Sequence, residues 1–225
     1  MLERSHEQHL ENARRLNLEL EQRVQERTRE LAEANRLLQQ RNEMLKRLAL
    51  TDELTGLPNR RAIERMARQE LVRRARYPSP MALGLVDADN FKQINSDYLL
   101  PGGDHVLTWL GQTLAKAVRT VDVVGRVGGE EFMIVAPETD QEGATILGER
   151  VRRTVATGET SYNGSTIRLT ISIGIAVAPA GAEVQYEILR TAAASALNEA
   201  KTRGRDRSVV LVLPGVSPTQ ESAGT

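Results

Sequence analysis

The 225-residue sequence predicts an α/β (α+β) protein: a central mixed β-sheet flanked by helices, preceded by a long coiled-coil helix. Three observations carry this. Residues 1 to about 50 hold no Gly or Pro and repeat apolar side chains every seven positions. Beyond Thr51, short apolar strands alternate with helical spacing, the pattern of a sheet covered by helices. Gly128-Gly129 sits between two apolar runs and reads as a hairpin tip, which adds antiparallel pairing.

The first segment is rich in Glu, Arg, Gln and Leu, all good helix formers. Leu10, Asn17, Val24, Leu31, Leu38 and Leu45 recur at heptad spacing, with Ala13, Leu20, Ala34 and Leu48 at d-like positions. Arg27 and Arg41 interrupt the d positions. An imperfect seam suits a signalling stalk with two registers of similar energy. It equally suits a simple dimerisation rod. A helix of this length needs a partner to bury its stripe. The expected division is therefore a stalk over 1–50, a folded domain over 51–213 and a disordered tail over 214–225.

Within the domain, Gly56 and Pro58 break the chain after the stalk, and a helix follows from Arg61 to about Arg76. Met81–Val86 reads as a strand and Val106–Val118 as a helix. Val123–Val127 and Glu131–Ala136 form the hairpin. Gln141–Val155 is a helix, Ile167–Ala178 a long β-rich run, Tyr186–Lys201 an Ala-rich helix and Ser208–Leu213 a last strand.

Composition excludes several functions. Thirty basic and thirty acidic side chains cancel, so no polyanion-binding surface is indicated. Aromatics make up 3%, too few for a base-stacking platform, and no nucleic-acid partner is expected. With no cysteine, disulfides and thiolate chemistry are excluded, and a cytoplasmic setting is expected. The longest apolar-rich stretch, Leu169–Gly181, is shorter than the roughly 20 residues a membrane span needs. The polar N-terminus does not read as a signal peptide.

Three motifs fall at strand ends and turns, where sites in such sheets gather. Asp87-Ala88-Asp89-Asn90-Phe91-Lys92 follows an apolar strand. Hard cations such as Mg²⁺ take a few carboxylates with waters and phosphate oxygens, although a strand-ending Asp alone is more often a turn former. Gly128-Gly129-Glu130-Glu131-Phe132 brings a backbone able to approach a ligand closely beside two acids. In an extended segment those acids point to opposite faces. Lys201 and Arg205 flank a helix end where Gly204 can stop the helix, within reach of phosphate oxygens.

Together these motifs resemble the GGDEF family of diguanylate cyclases, over about Thr51 to Leu213. Asp52-Glu53-Leu54-Thr55-Gly56-Leu57-Pro58-Asn59-Arg60 resembles the family's opening motif, and Asp87 to Asn95 its metal and nucleotide motif. Gly128 to Phe132 is its signature in the GGEEF form. Thr170-Ile171-Ser172-Ile173-Gly174 resembles the strand that follows, and Lys201 to Arg205 the late phosphate segment. The resemblance implies a cyclase that joins two GTP into cyclic di-GMP across a symmetric homodimer. The stalk would set that dimer, or a higher oligomer, and could be held by a regulatory protein.

By the same resemblance, Asp87, Glu130 and the Ala88 carbonyl bind Mg²⁺, with Mn²⁺ as the alternative. Glu131 serves the metal or activates the attacking 3′-hydroxyl; the resemblance leaves both open. Amides at Asn90 and Phe91, with Lys92, Gly128, Gly129, Lys201 and Arg205, cradle phosphates. Asn95 and Asp104 read guanine, whose N1 and N2 hydrogens adenine lacks. Arg119-Thr120-Val121-Asp122 stands at the family's inhibitory spacing, with Arg150 as a further arginine. The resemblance thus implies product inhibition by cyclic di-GMP.

Two departures stand out. Leu99-Leu100 replaces a Gly-His pair usual between Asn95 and Asp104. In the late helix, Ala194 and Asn198 replace an Asp and a Tyr, and Asp206 replaces an Asn. A catalytically weak GTP- or cyclic di-GMP-binding module, controlled through the stalk, is the alternative reading.

Overall fold

The computed structural model describes residues 15, 19–20, 22–41 and 50–215. Two units separate in the chain, Met1–Ala49 and Leu50–Thr225. In the first, α1 covers residues 22–41. Its heptad residues Val24, Leu31 and Leu38 are 62–64% exposed on the single chain. Along its surface Arg23 pairs with Glu19 and Arg27 with Glu30, ordinary neighbours on a helix. Leu10, Ala13, Asn17, Leu45 and Leu48 of the heptad pattern lie outside the described residues, as do 216–225 of the predicted tail.

The second unit runs α2 (Arg60–Arg76), β1 (Met81–Ala88), α3 (Phe91–Ala117), β2 (Val123–Gly128), β3 (Glu131–Pro137) and α4 (Gln141–Ala156). It continues through β4 (Thr160–Tyr162), β5 (Ser165–Ile167), β6 (Ile171–Ala178), α5 (Tyr186–Thr202) and β7 (Arg207–Val212). A five-stranded sheet has the order β2-β3-β1-β6-β7, and β4-β5 is a separate small hairpin. β1 is antiparallel to both neighbours, whereas β6 and β7 are parallel. The mixed sheet expected from the sequence is present.

β1 and β6 are buried on both faces, which explains their unbroken apolar sequences. One core layer joins Val86, Ile134 and Ile173 of the sheet to Val106, Leu110 and Leu114 of α3 and to Leu147 and Val151 of α4. The other joins Leu83, Met133 and Ala176 to Ile63 and Ala67 of α2 and to Leu189 and Ala193 of α5. Asp140 caps α4 by accepting from the Gly143 amide, and Asn59 caps α2 by accepting from Ala62.

Three elements differ from expectation. The helix expected from Val106 begins at Phe91, and inside it Leu99 is non-helical, at φ 60° and ψ 179°. Pro101, Gly102 and Gly103 disguise that helix, because Pro and Gly read as breakers in sequence. The β-rich run from Ile167 divides at residues 168–170 into β5 and β6. The β4-β5 hairpin was not expected; its Asn163-Gly164 turn, both at positive φ, is the signal that could have found it.

α5 lies against β6 at Gly174. A Cβ there would sit 2.0 Å from the Leu197 amide nitrogen and 2.3 Å from the Ala193 carbonyl oxygen, both backbone atoms. Gly174→Ala must therefore push the whole helix away, and an overpacking cost of about 3 kcal/mol is expected. Chemical denaturation measures this; an unchanged midpoint contradicts the packing.

Candidate active site

β1 is the central strand, and its C-terminal end carries Asp87 in register with Glu131 of β3 and Ser172 of β6. Lys201 reaches from α5 and places its Nζ 2.7 Å from Asp87 Oδ2. Asp87, Ala88, Asn90, Phe91, Lys92, Glu130, Lys201 and Arg205 line one cleft of about 700 Å³. Eight of the residues expected to hold metal and phosphates thus meet at one strand end. Asn90 takes a left-handed φ of 55° and makes no side-chain cap. The amides that open α3 therefore receive no side-chain acceptor and face the anion-binding end of the helix.

The two signature glutamates separate. Glu130 lines the cleft with Asp87, whereas Glu131 lines a smaller cavity of about 210 Å³ with Arg60, Glu64, Arg190 and Asn198. Lys201 borders both. Burial, and then the charge of Asp87, raise the Glu130 carboxyl above its ordinary value, while Lys201 and Lys92 oppose the rise. Gly128 and Gly129 turn the chain at φ 153° and 46°, angles that a side chain would strain.

Two supports were not singled out from sequence. Arg126 donates from Nε and Nη2 to the Gly129 carbonyl, at 3.0 and 2.8 Å, and from Nη1 to both oxygens of Asp52, at 3.1 and 3.2 Å. The signature turn is thereby tied to the opening motif. Burial tends to raise the Asp52 carboxyl, but hydrogen bonds from Thr55 and Arg126 leave it below its ordinary value. The position of Arg126 just before the glycine pair was the available signal.

Asp89 is the second support. It is 5% exposed and accepts from Thr170 Oγ1 at 2.7 Å, Ser172 Oγ at 2.6 Å and the Asp206 amide at 3.0 Å. Its own amide donates to the Thr170 carbonyl. Of the two acids in Asp87-Ala88-Asp89, one faces the cleft and the other locks β1, β6 and the α5–β7 connection. That connection bends through Gly204, Arg205 and Asp206, all at positive φ, and so brings Arg205 to the cleft.

Asn95 is half-buried and Asp104 exposed, on the two halves of α3. At the expected inhibitory site, Asp122 accepts from the Arg119 amide at 2.9 Å. Its other oxygen, Oδ1, is buried with no partner, as are Nε and Nη2 of Arg150. Arg119 is exposed. Among the described residues, no group of three or more His, Cys, Asp or Glu has metal-holding geometry, and no helix is long and apolar enough to cross a membrane.

Two outcomes follow from this geometry. Asp52→Asn removes the charge that anchors Arg126, and amide exchange in residues 128–131 should accelerate about tenfold; unchanged exchange contradicts the brace. For Glu130, the folded state binds the proton more tightly than the unfolded chain. Its charge therefore opposes folding, increasingly as pH rises through the raised value, and this penalty is absent below the ordinary value of about 4.5. In metal-free buffer Glu130→Gln should raise Tm at pH 8 and leave it nearly unchanged at pH 4; no rise at pH 8 contradicts the assignment.

A family model for the diguanylate cyclase GGDEF domain matches residues 49–207. The chain is 40% identical over 159 residues to diguanylate cyclase DgcP of Pseudomonas aeruginosa, covering 71% of this chain and 23% of DgcP. It is 36% identical over 157 residues to diguanylate cyclase DosC of Escherichia coli, covering 69% of this chain and 34% of DosC. The chain thus spans about a quarter to a third of these relatives. The coiled coil and GGDEF domain of DgcB from Caulobacter crescentus, solved with c-di-GMP, superposes with a TM-score of 0.76 at 25% identity, covering 85% of this chain and 99% of that one. Diguanylate cyclase SiaD of Pseudomonas aeruginosa, solved with its activator SiaC, gives 0.68 at 31% identity, covering 94% and 83%. With the family model spanning most of the domain and the signature turn built as described, the chain belongs to the GGDEF domain family of diguanylate cyclases.

Proposed function

We propose that this chain is itself a diguanylate cyclase, condensing two GTP into cyclic di-GMP and two pyrophosphates. The observation that carries the reading is the meeting of Asp87, Glu130, Lys92, Lys201 and Arg205 in one cleft at the end of the central strand. Asp87, Glu130 and the Ala88 carbonyl suit Mg²⁺, or Mn²⁺, because two carboxylates and a carbonyl leave positions for water and phosphate oxygens. Burial and then the charge of Asp87 raise the Glu130 carboxyl, and a cation held by these two residues would offset the second of these causes. When bound, the ion neutralises the triphosphate and the charge that develops as pyrophosphate leaves.

The chain's own residues do the rest. Lys92, Lys201, Arg205, the amides at Asn90 and Phe91 and the open backbone of Gly128 and Gly129 hold the triphosphate. Asn95 and Asp104 read guanine. The 3′-oxygen of the second GTP bonds to the α-phosphorus as the bond to the bridging oxygen breaks. Pyrophosphate departs with that electron pair. Glu131, the cross-strand neighbour of Asp87 that lines the adjoining cavity, is assigned to the incoming hydroxyl and its proton. Each domain supplies one GTP, so two domains face across a two-fold axis. The exposed heptad residues of α1 support a stalk-made homodimer, and a cytoplasmic setting is part of the same proposal.

Cyclic di-GMP is also proposed to bind Arg119, Asp122 and Arg150 and to inhibit. The partnerless buried atoms of Asp122 and Arg150 support this, since such atoms are costly unless a ligand or water satisfies them. A regulatory protein on the stalk is a second proposal, favoured by the likeness to SiaD, which was solved with an activator.

Product analysis after incubation with GTP and Mg²⁺ tests the central reading. The parent should give cyclic di-GMP and Glu130→Ala/Glu131→Ala none; a folded, dimeric parent that makes no product overturns it. Arg119→Ala should lose tight cyclic di-GMP binding while retaining synthesis, and unchanged binding overturns the inhibitory site.

A further inference from the structure

α3 runs from Phe91 to Ala117 but is not one straight helix. Asn95 and Asp104 are nine residues apart. At about 100° per residue, that separation puts them on opposite faces of an unbroken helix. The break at Leu99, with φ 60° and ψ 179°, restarts the helix in a new direction. Without this break the two side chains could not address one base.

Leu99 sits at angles that glycine adopts freely and that a residue with a Cβ adopts only under strain. Its side chain is 70% exposed, and that of Leu100 is 75% exposed, so burial of the leucines does not compensate. The break is held from the other side. Pro101 stands in the first turn of the second half, where its missing N–H costs nothing. Gly102 and Gly103 let the second half close on the first. A Cβ on Gly102 would lie 2.3 Å from Tyr98 Cβ, and one on Gly103 would lie 1.9 Å from Asn95 Oδ1. The Asn95 carboxamide is therefore seated against the backbone next to Asp104.

We infer that Leu99 is a positioning residue for guanine recognition: its strained backbone opposes the break that brings Asn95 and Asp104 together. The base-reading arrangement is then only part of the free protein's population, and guanine selects it. This rests on the assignment of Asn95 and Asp104 to guanine proposed above.

The test compares Leu99→Gly with Leu99→Ala in the full chain. Both remove the leucine side chain, but only glycine removes the strain. Equilibrium binding is measured for a non-hydrolysable GTP analogue and for inorganic tripolyphosphate, each with Mg²⁺. Leu99→Gly should bind the analogue about tenfold more tightly, or about 1.4 kcal/mol, with tripolyphosphate unchanged. Leu99→Ala should stay within about twofold of the parent for both, since it keeps the Cβ that strains the backbone. An unaltered Leu99→Gly, an equal gain in Leu99→Ala, or an equal gain for tripolyphosphate overturns the inference. Asn95→Ala and Asp104→Ala separate the two levels. If neither weakens the analogue relative to tripolyphosphate, the guanine assignment falls and the role of Leu99 with it. If both do while Leu99→Gly is unaltered, the role of Leu99 alone falls.

Discussion

Three parts of the chain end at one buried carboxylate. Asp89 accepts from the hydroxyls of Thr170 and Ser172 and from the amide of Asp206, and these sit beside β6 and β7. A charge this deep is tolerable only when its lone pairs are met by donors. The requirement fixes how far β1 extends, where β6 begins and how the chain leaves α5. Asp87 and Arg205 then reach the same cleft because their neighbours are pinned. A second tie, from Arg126 to Asp52 and Gly129, does the same for the signature turn. The cleft is thus built from short, exposed turns held by bonds behind it.

The arrangement sets function against stability. Asp87 and Glu130 share one cleft, and Glu130 is pushed toward its neutral form by burial and by that neighbour. Lys201 offsets part of this by pairing with Asp87. Leu99 adds backbone strain in α3. Local costs of this kind gather at sites, where the surrounding fold holds what the segment alone would not adopt.

The sheet and most of its helices were legible because buried strands read as unbroken apolar runs and helices as periodic ones. β1, β2, β3, α4, α5 and β7 fall close to where their patterns put them. The first half of α3 was hidden by Pro101 and its two glycines, since breakers in sequence also serve as close-packing residues. The carboxylates of the cleft were visible as strand-end motifs. Their division of labour was only partly visible: alternation separates Glu130 from Glu131, but no local pattern distinguishes Asp87, which faces the cleft, from Asp89, which faces inward. That difference is made by Thr170 and Ser172, more than eighty residues away. The link from Arg126 to Asp52 crosses a similar gap in sequence.

Asp87 and Glu130 are proposed to hold the metal of a bound GTP jointly, with the triphosphate among Lys92, Lys201 and Arg205. Anomalous diffraction from crystals grown with Mn²⁺ and a non-hydrolysable GTP analogue addresses it directly. A manganese peak bridging Asp87 and Glu130, with phosphates against the two lysines, is the predicted result. A peak elsewhere, or a nucleotide seated away from this cleft, contradicts the account.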